Sequence, residues 1–397
     1  MRRMTEPAVA FLIAVASLLA LASVGGKVAR ALEAPAVVGE IVAGVLLGPT
    51  VLGRISPHLQ ETLFPALGFG ASALEAFRLV GLVLLVFMAG LEIDLAQIRR
   101  LARPALLTAT GSLVVPFAAG LGLAFLAPTF LEAPPLVPRG AFALLMGTVL
   151  AISALPVLAR ILMDLSLLGS EIGTLCLAAA MLDDVIGWLA LSLAIGWSQP
   201  GTSSSVALTA AGTLGFAAVV IAARPLLDRV AARAGLAPLL VLALLGGAAT
   251  HHLGTHAAIG SFLVGIAIRT EHLPEEVRRS VERFVTSFFS PILFAAIGLR
   301  VDYAASFSLP LTLLIITIAT ITKLAGAGGG ALVAGYPRRF AFAAAAGLNA
   351  RGAMGVVLSE VALDRGLIGR PLFVALVSMA LVTSLASGPL LARFARR

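Results

Sequence analysis

The sequence predicts an all-α polytopic membrane protein with about 13 transmembrane helices. Of its 397 residues, 59% are hydrophobic and only 12% are charged. The mean hydropathy is +1.04, so too little polar surface is present to cover a soluble globule. The apolar runs recur near the ~20 residues that a helix needs to cross the hydrocarbon layer. The short alternating pattern of an outer-membrane barrel is not visible.

The predicted spans are apolar runs separated by charges or by Pro/Gly clusters. They lie near 7–26, 36–53, 76–94, 104–128, 139–163, 170–197, 205–223, 237–253, 255–268, 283–299, 306–333, 338–362 and 371–392. Arg2, Arg3 and the first run also resemble a signal peptide. The run is longer than the hydrophobic region of a typical signal peptide, which favours an uncleaved helix.

The basic residues predict the orientation. The loops after spans 1, 3, 5, 7, 9 and 11, together with the C-terminus, hold 18 of the 28 lysines and arginines, whereas the opposite loops hold 7. The positive-inside rule then places the N-terminus outside and the C-terminus in the cytoplasm of a bacterial inner (plasma) membrane. The net charge of +8 does not indicate nucleic-acid binding, because the basic residues lie singly or in small groups beside apolar runs.

An internal similarity predicts two inverted repeats. Gly90–Asp94 at the end of span three matches Gly298–Asp302 at the end of span ten, and Gly39 with Gly44 matches Gly260 with Gly265. Seven spans separate equivalent helices, so the halves are expected in opposite orientations. The prediction is a single membrane unit with repeats at about 7–197 and 237–392 and a connector helix at about 205–223. No soluble C-terminal domain is expected.

Two adjacent carboxylates, Asp183 and Asp184, lie near the middle of the sixth span. A charge at the centre of a membrane helix costs on the order of 2.5–3.5 kcal/mol, which favours a functional role. Loss of water and mutual repulsion favour protonation of at least one carboxylate, so a proton and a cation would compete for one oxygen site. The alternative interpretation is a structural pair tied up in helix packing.

Lys323 lies in the middle of span eleven and is one of two lysines in the chain. A buried lysine can release its proton under working conditions, whereas an arginine cannot. Lys323 is therefore predicted to be a switchable partner of Asp183 or Asp184. A fixed salt bridge that only stabilises the bundle is the alternative.

Two spans carry residues that interrupt helices. Span five contains Thr148, Ser153 and Pro156, and span twelve contains Gly347, Asn349, Arg351, Gly352 and Gly355. Unwound backbone there would present carbonyl groups to the carboxylates, and the hydroxyls of Thr148 and Ser153 suit a hard cation. A proline-kinked, packed helix is the alternative.

Several further residues are predicted to be structural or gating groups rather than ion ligands. Arg351 requires an anion, which Glu360 or Glu40 could supply, and the sequence does not choose between them. Pro156 and Gly352 are assigned to the breaks themselves. The histidines at 251, 252 and 256 are expected to be ordinary polar residues of a turn and not a metal site.

The order and spacing of six segments carry a family resemblance. They are Pro35–Glu40 with Gly44–Pro49, Phe87–Glu92, Ser153 with Pro156–Leu158, Asp183–Asp184, Lys323, and Arg351–Gly352. Together they resemble the monovalent cation:proton antiporter superfamily, in its Kef-type and bacterial sodium/proton antiporter branch. The chain is accordingly expected to be a transporter and not an enzyme, with no cofactor and no nucleotide or nucleic-acid partner.

The resemblance implies a homodimer in membrane lipid, with crossed broken helices five and twelve in a core that moves like an elevator. It implies that Asp184 carries the transported Na⁺, or K⁺ or Li⁺, in exchange for H⁺, with Asp183 and Lys323 as charged neighbours. An Asp-Asp pair with a lysine resembles the electrogenic exchangers. K⁺/H⁺ exchange, a sodium-coupled symporter of an organic anion and an ion channel stay open as alternatives.

Overall fold

The computed structural model describes residues 7–32, 34–91, 103–167, 170–198, 202–233, 235–253, 256–268 and 273–395. Helices dominate these residues, and no strand occurs among them. The all-helical membrane fold predicted from the sequence is therefore confirmed. The Glu92–Asp94 portion of the internal similarity lies outside the described residues.

The helices are numbered here in chain order. They are α1 (Pro7–Ala31), α2 (Ala36–Leu47), α3 (Leu52–Ile55), α4 (Pro57–Leu63), α5 (Phe69–Leu91), α6 (Arg103–Leu126), α7 (Arg139–Ala151), α8 (Leu155–Asp164), α9 (Glu171–Ser198), α10 (Thr202–Ala222), α11 (Arg224–Arg233), α12 (Leu236–His252), α13 (Ala257–Ala267), α14 (Glu275–Phe284), α15 (Ser290–Leu299), α16 (Tyr303–Ser306), α17 (Leu309–Val333), α18 (Arg338–Leu348), α19 (Gly352–Asp364) and α20 (Arg370–Ala395). A π-helical turn, Val285–Phe289, joins α14 to α15.

The predicted count of 13 spans is not confirmed. In the described part of the chain, eight helical stretches are long and apolar enough to cross a membrane, or nine if α18 and α19, which are bent by 44°, form one span. Shorter apolar helices account for several other predicted spans, among them α7, α12 and α13. Predicted span 139–163 is divided at residues 152–154, so neither piece reaches the crossing length by itself.

The chain divides into two compact units. The first contains residues 1–92, 216–251 and 260–306, and the second contains residues 93–215, 252–259 and 307–397. The first unit is built mainly on α1, α2, α5, α12 and α15. The second unit contains α6 to α9 and α17 to α20. Both predicted broken spans and both aspartates therefore belong to the second unit.

In the first unit, glycines allow helices from the two predicted repeats to touch. A Cβ atom added to Gly44 would collide with the Ala295 carbonyl group, and one added to Gly265 would collide with the Phe87 carbonyl group. At the equivalent positions, a Cβ atom added to Gly298 would collide with the Ile41 carbonyl group, and one added to Gly90 would collide with the Phe262 carbonyl group. Two repeated halves are expected to exchange contacts in this reciprocal manner. The repeat boundaries given above stay a prediction.

In the second unit, α6 and α17 pack backbone to backbone. A Cβ atom on Gly111 would collide with the Gly326 carbonyl oxygen, and one on Gly330 would collide with that of Leu107. Small residues at such a crossing let membrane helices approach closely. Because α6 carries Ser112 and α17 carries Lys323, this close contact brings both residues beside α9.

Candidate ion site

The first helix break separates α7 from α8. Ile152 and Ala154 have extended backbones, with φ/ψ of −63°/138° and −92°/101°. Pro156 lies in the first turn of α8, where its missing N–H costs no helical hydrogen bond. The proline therefore starts α8 without the loss of a helical hydrogen bond, and the extended Ile152 carbonyl before it is left outside both helices.

The second break comprises residues 349–351, between α18 and α19. Gly352 starts α19 with φ +28°, a value that side-chain-bearing residues rarely adopt. A Cβ atom there would also collide with Val157. The Gly352 N–H donates to Ser384 Oγ at 2.9 Å, which satisfies one of the free N–H groups at the start of the helix. Gly352 is therefore a structural residue of this break.

The two breaks cross and are hydrogen-bonded to each other. The Ala154 N–H donates to the Ala350 carbonyl oxygen at 2.7 Å. Ser153 Oγ lies 2.8 Å from the Leu348 carbonyl oxygen, one of two acceptors that share its single hydroxyl proton. Non-helical backbone at membrane depth is tolerated where protein partners satisfy its polar groups, and these bonds provide such partners.

Asp183 lies at the centre of a buried polar cluster beside the crossing. Its Oδ2 atom accepts hydrogen bonds from Lys323 Nζ at 2.8 Å, Ser153 Oγ at 2.8 Å and Ser112 Oγ at 3.2 Å. Asp183 and Lys323 are both completely buried. Residues from α6, α9, α17 and the first break therefore meet at one carboxylate oxygen. The pairing of Lys323 is with Asp183, a choice that the sequence left open.

Lys323 also binds two backbone carbonyl groups. Its ammonium group donates to Ser112 O at 3.0 Å and to Ala151 O, at the end of α7. Pro116, inside α6, has no N–H to offer the Ser112 carbonyl four residues earlier. The ammonium group therefore donates to the Ser112 carbonyl oxygen, which has no helical partner because of Pro116. It also lies at the C-terminal end of α7, where the helix dipole is negative.

Arg351 finds different partners from those expected. Its guanidinium group donates to the carbonyl oxygens of Leu150, of Val149 at 3.4 Å, of Ile152 at 3.3 Å and of Ala319 at 2.8 Å. Within the described residues, no carboxylate is among its hydrogen-bond partners. The C-terminal carbonyl groups of α7 supply the negative potential instead. Glu360 is buried on α19, and Glu40 is buried in the first unit.

Asp184 and Thr148 complete the set of predicted ligands. Asp184 is completely buried, and its position one residue after Asp183 turns its side chain about 100° around α9. Thr148 is buried one turn before the first break and donates its hydroxyl to Leu144 O at 2.7 Å within α7. Its oxygen keeps a lone pair for an additional partner.

Ser112 and Ser384 belong to the site but were not predicted from the sequence. Both are buried, and each bonds to a residue of the crossing region. Pro116 was a usable signal for Ser112, because a proline inside a membrane helix frees the carbonyl four residues earlier. Ser384 has no comparable local signal. Among the described residues no group of His, Cys, Asp and Glu has the arrangement of a metal centre. His251 and His252, expected in a turn, end α12 instead, and His256 is buried.

A helical membrane bundle in which two broken helices cross beside buried carboxylates has the architecture of a secondary transporter. The solved sodium proton antiporter MjNhaP1 from Methanocaldococcus jannaschii has the same fold, with a TM-score of 0.64 over 97% of each chain at 14% identity.

Residues 14–397 match the sequence model of the transmembrane sodium/hydrogen exchanger family. The chain belongs to this family. It is 28% identical to the Na(+)/H(+) antiporter NhaS4 of Synechocystis sp., with 95% of each chain covered. It is 32% identical to Cation/H(+) antiporter 19 of Arabidopsis thaliana over 90% of this chain and 46% of the relative. The chain thus spans about half the length of the plant relatives that it matches.

Proposed function

We propose that this chain is a secondary active antiporter that exchanges Na⁺, or another monovalent cation, for H⁺ at a carboxylate site within the membrane. One observation carries the proposal: Asp183 and Asp184 are fully buried, and Asp183 is hydrogen-bonded both to Lys323 and to Ser153 of the first of two crossed helix breaks. The family membership of the chain and the names of its relatives support the same activity.

The two aspartates are assigned different roles. Three donors hold the Oδ2 atom of Asp183 in place. Asp184 is proposed to carry the transported ion, because a carboxylate away from bulk water binds a proton or an alkali cation but not both together. Ser153, Thr148 and the break carbonyls are proposed to supply further oxygen atoms. Exchange then follows from alternating exposure of one site to the two sides of the membrane.

The further properties are proposed from the family resemblance. The second unit, which contains the whole site, is proposed to act as an elevator-like carrier. The Asp-Asp-Lys pattern is proposed to make the exchange electrogenic, since the lysine adds a group that can exchange a proton. A homodimer in the bacterial inner membrane, with the N-terminus outside and the C-terminus in the cytoplasm, completes the proposal.

Purified protein in liposomes with an internal pH dye tests the activity. Na⁺, K⁺, Li⁺ and Rb⁺ are added in turn, with choline as the control cation. Proton movement with Na⁺ supports the proposal, and movement with K⁺ alone assigns K⁺/H⁺ exchange. Uncoupled conductance would identify a channel. Proton movement with none of the cations would refute antiport, and an organic-anion requirement would favour the symporter.

The variant Asp184→Asn tests the site. It is expected to abolish exchange, because an amide does not take up a proton in the working pH range. Its melting temperature in detergent serves as the control for folding. A folded Asp184→Asn protein that exchanges at a near-normal rate would remove Asp184 from the mechanism.

A further inference from the structure

Asn349 is a buried side chain whose polar atoms lack an internal partner. It is the first residue of the second break and is 1% exposed. Neither its Oδ1 nor its Nδ2 atom has a hydrogen-bond partner among the described residues. An amide can form four hydrogen bonds, and leaving all of them unmade in the protein interior is costly. Such a group requires an explanation.

Backbone conformation does not supply that explanation. Asparagine is common after helices where the chain turns left-handed, but Asn349 has φ −75° and ψ −7°, which other residues adopt readily. Its own N–H donates to Ala345 O at 3.0 Å, a bond that any residue except proline would make. An apolar residue of similar size would therefore satisfy the fold.

The position of Asn349 points to the ion site. The preceding carbonyl oxygen, that of Leu348, accepts from Ser153 Oγ, and the same hydroxyl contacts Asp183 Oδ2 at 2.8 Å. The following carbonyl oxygen, that of Ala350, accepts from the Ala154 N–H. Hydrogen bonds on both sides thus hold Asn349 against the first break. Asp183 Oδ1, in the same cluster, also has no hydrogen-bond partner in the described chain.

We infer that the Asn349 side-chain amide is a ligand of the transported cation, and that it favours the metal ion over the proton. This inference rests on the proposed antiport. The amide oxygen is a neutral, hard donor of the kind that such cations bind. Because an amide is not protonated in the working pH range, it adds affinity for the metal ion and none for H⁺. A carboxylate, by contrast, serves both ions.

The competition between the two ions makes this inference measurable. The apparent cation KM in the dye assay is expected to rise at low pH, because protons compete for the carboxylate. A plot of log KM against pH bends where the carboxylate is half protonated. Asn349→Leu is expected to raise KM about tenfold at every pH while leaving the bend at the same pH. The maximal rate is expected to stay within about twofold, because the carboxylates are intact.

A matched control and a second variant complete the test. Ser359→Ala removes a buried hydroxyl that bonds within its own helix, to Gly355 O, and is expected to leave KM unchanged. Asn349→Ser keeps an oxygen donor and is expected to have a KM between those of the wild type and Asn349→Leu. The serine variant also tests the inference by itself if Asn349→Leu does not fold. An unchanged KM in both Asn349 variants, or a bend that moves together with KM, would overturn the inference.

A binding measurement separates this inference from the proposed function. NaCl, KCl or LiCl in place of choline chloride is expected to raise the melting temperature of the wild-type protein in detergent. Asn349→Leu is expected to reduce that rise and to be at least as stable as the wild type without these cations, since an unsatisfied amide is removed. Wild-type protein that fails to exchange would refute the proposed antiport. If the cations raise the melting temperature of Asn349→Leu as much as that of the wild type, only the assignment of Asn349 as a cation ligand is refuted.

Discussion

The buried pair of Lys323 and Asp183 predicts a large and specific loss of stability in Lys323→Met. Methionine keeps much of the length of the side chain but removes the ammonium group. Three acceptors then lose a hydrogen bond: Asp183 Oδ2, which keeps the two serine hydroxyls, and the carbonyl oxygens of Ser112 and Ala151. Breaking one side of a buried ion pair costs about 3–5 kcal/mol, which for a chain of this length corresponds to a fall in melting temperature on the order of 5 °C.

A double variant divides this cost into its parts. In Lys323→Met with Asp183→Asn, position 183 no longer holds a charge that has lost its partner, and only the carbonyl groups of Ser112 and Ala151 lack the donor that Lys323 supplied. The remaining loss is expected to be about 1–3 kcal/mol, so the double variant is more stable than Lys323→Met.

Thermal unfolding of the purified protein in detergent measures these differences. The control is Lys27→Met, which changes the other lysine of the chain at an exposed position on α1. It is expected to alter stability by no more than about 0.5 kcal/mol. A Lys323→Met protein as stable as the wild type, or a double variant whose loss equals the sum of the two single losses, would refute the reasoning.

Two further predictions concern helix packing and proton coupling. Gly330→Ala is expected to lower the melting temperature, because its Cβ atom collides with the Leu107 carbonyl group. Gly329→Ala has no atom within 4 Å of its Cβ and is expected to raise the free energy of unfolding by about 1 kcal/mol through helix propensity. Equal effects of the two substitutions would contradict the packing argument. Lys323→Gln is expected to shift the pH profile of exchange or weaken its voltage dependence, as measured in liposomes with a set membrane potential. An unchanged profile at full activity would assign the lysine a purely structural role.

Much of this protein could be predicted because the relevant physics is local. A long apolar run is enough to predict a membrane helix, since the bilayer core offers no partner to backbone polar groups. The aspartates stood out in the same way, because carboxylates in a membrane helix are costly. Pro156 and the residues around Gly352 indicated the two breaks, as the dihedral angles at 152, 154 and 352 bear out.

The sequence was less informative where two distant segments meet. It predicted a carboxylate for Arg351, but the structure gives this guanidinium group the carbonyl oxygens of the α7 end and of Ala319. It also missed Ser112, whose role depends on the close approach of α6 to α17.

The sequence by itself determined that this chain is a helical membrane protein with carboxylates and helix breaks at membrane depth. Only the tertiary structure decided that Lys323 pairs with Asp183, and that the two breaks meet at Ser153 and Leu348. The reason is physical. Hydropathy and backbone restriction act within one helix, whereas a hydrogen bond between residues 140 positions apart depends on how glycine-lined helices pack together.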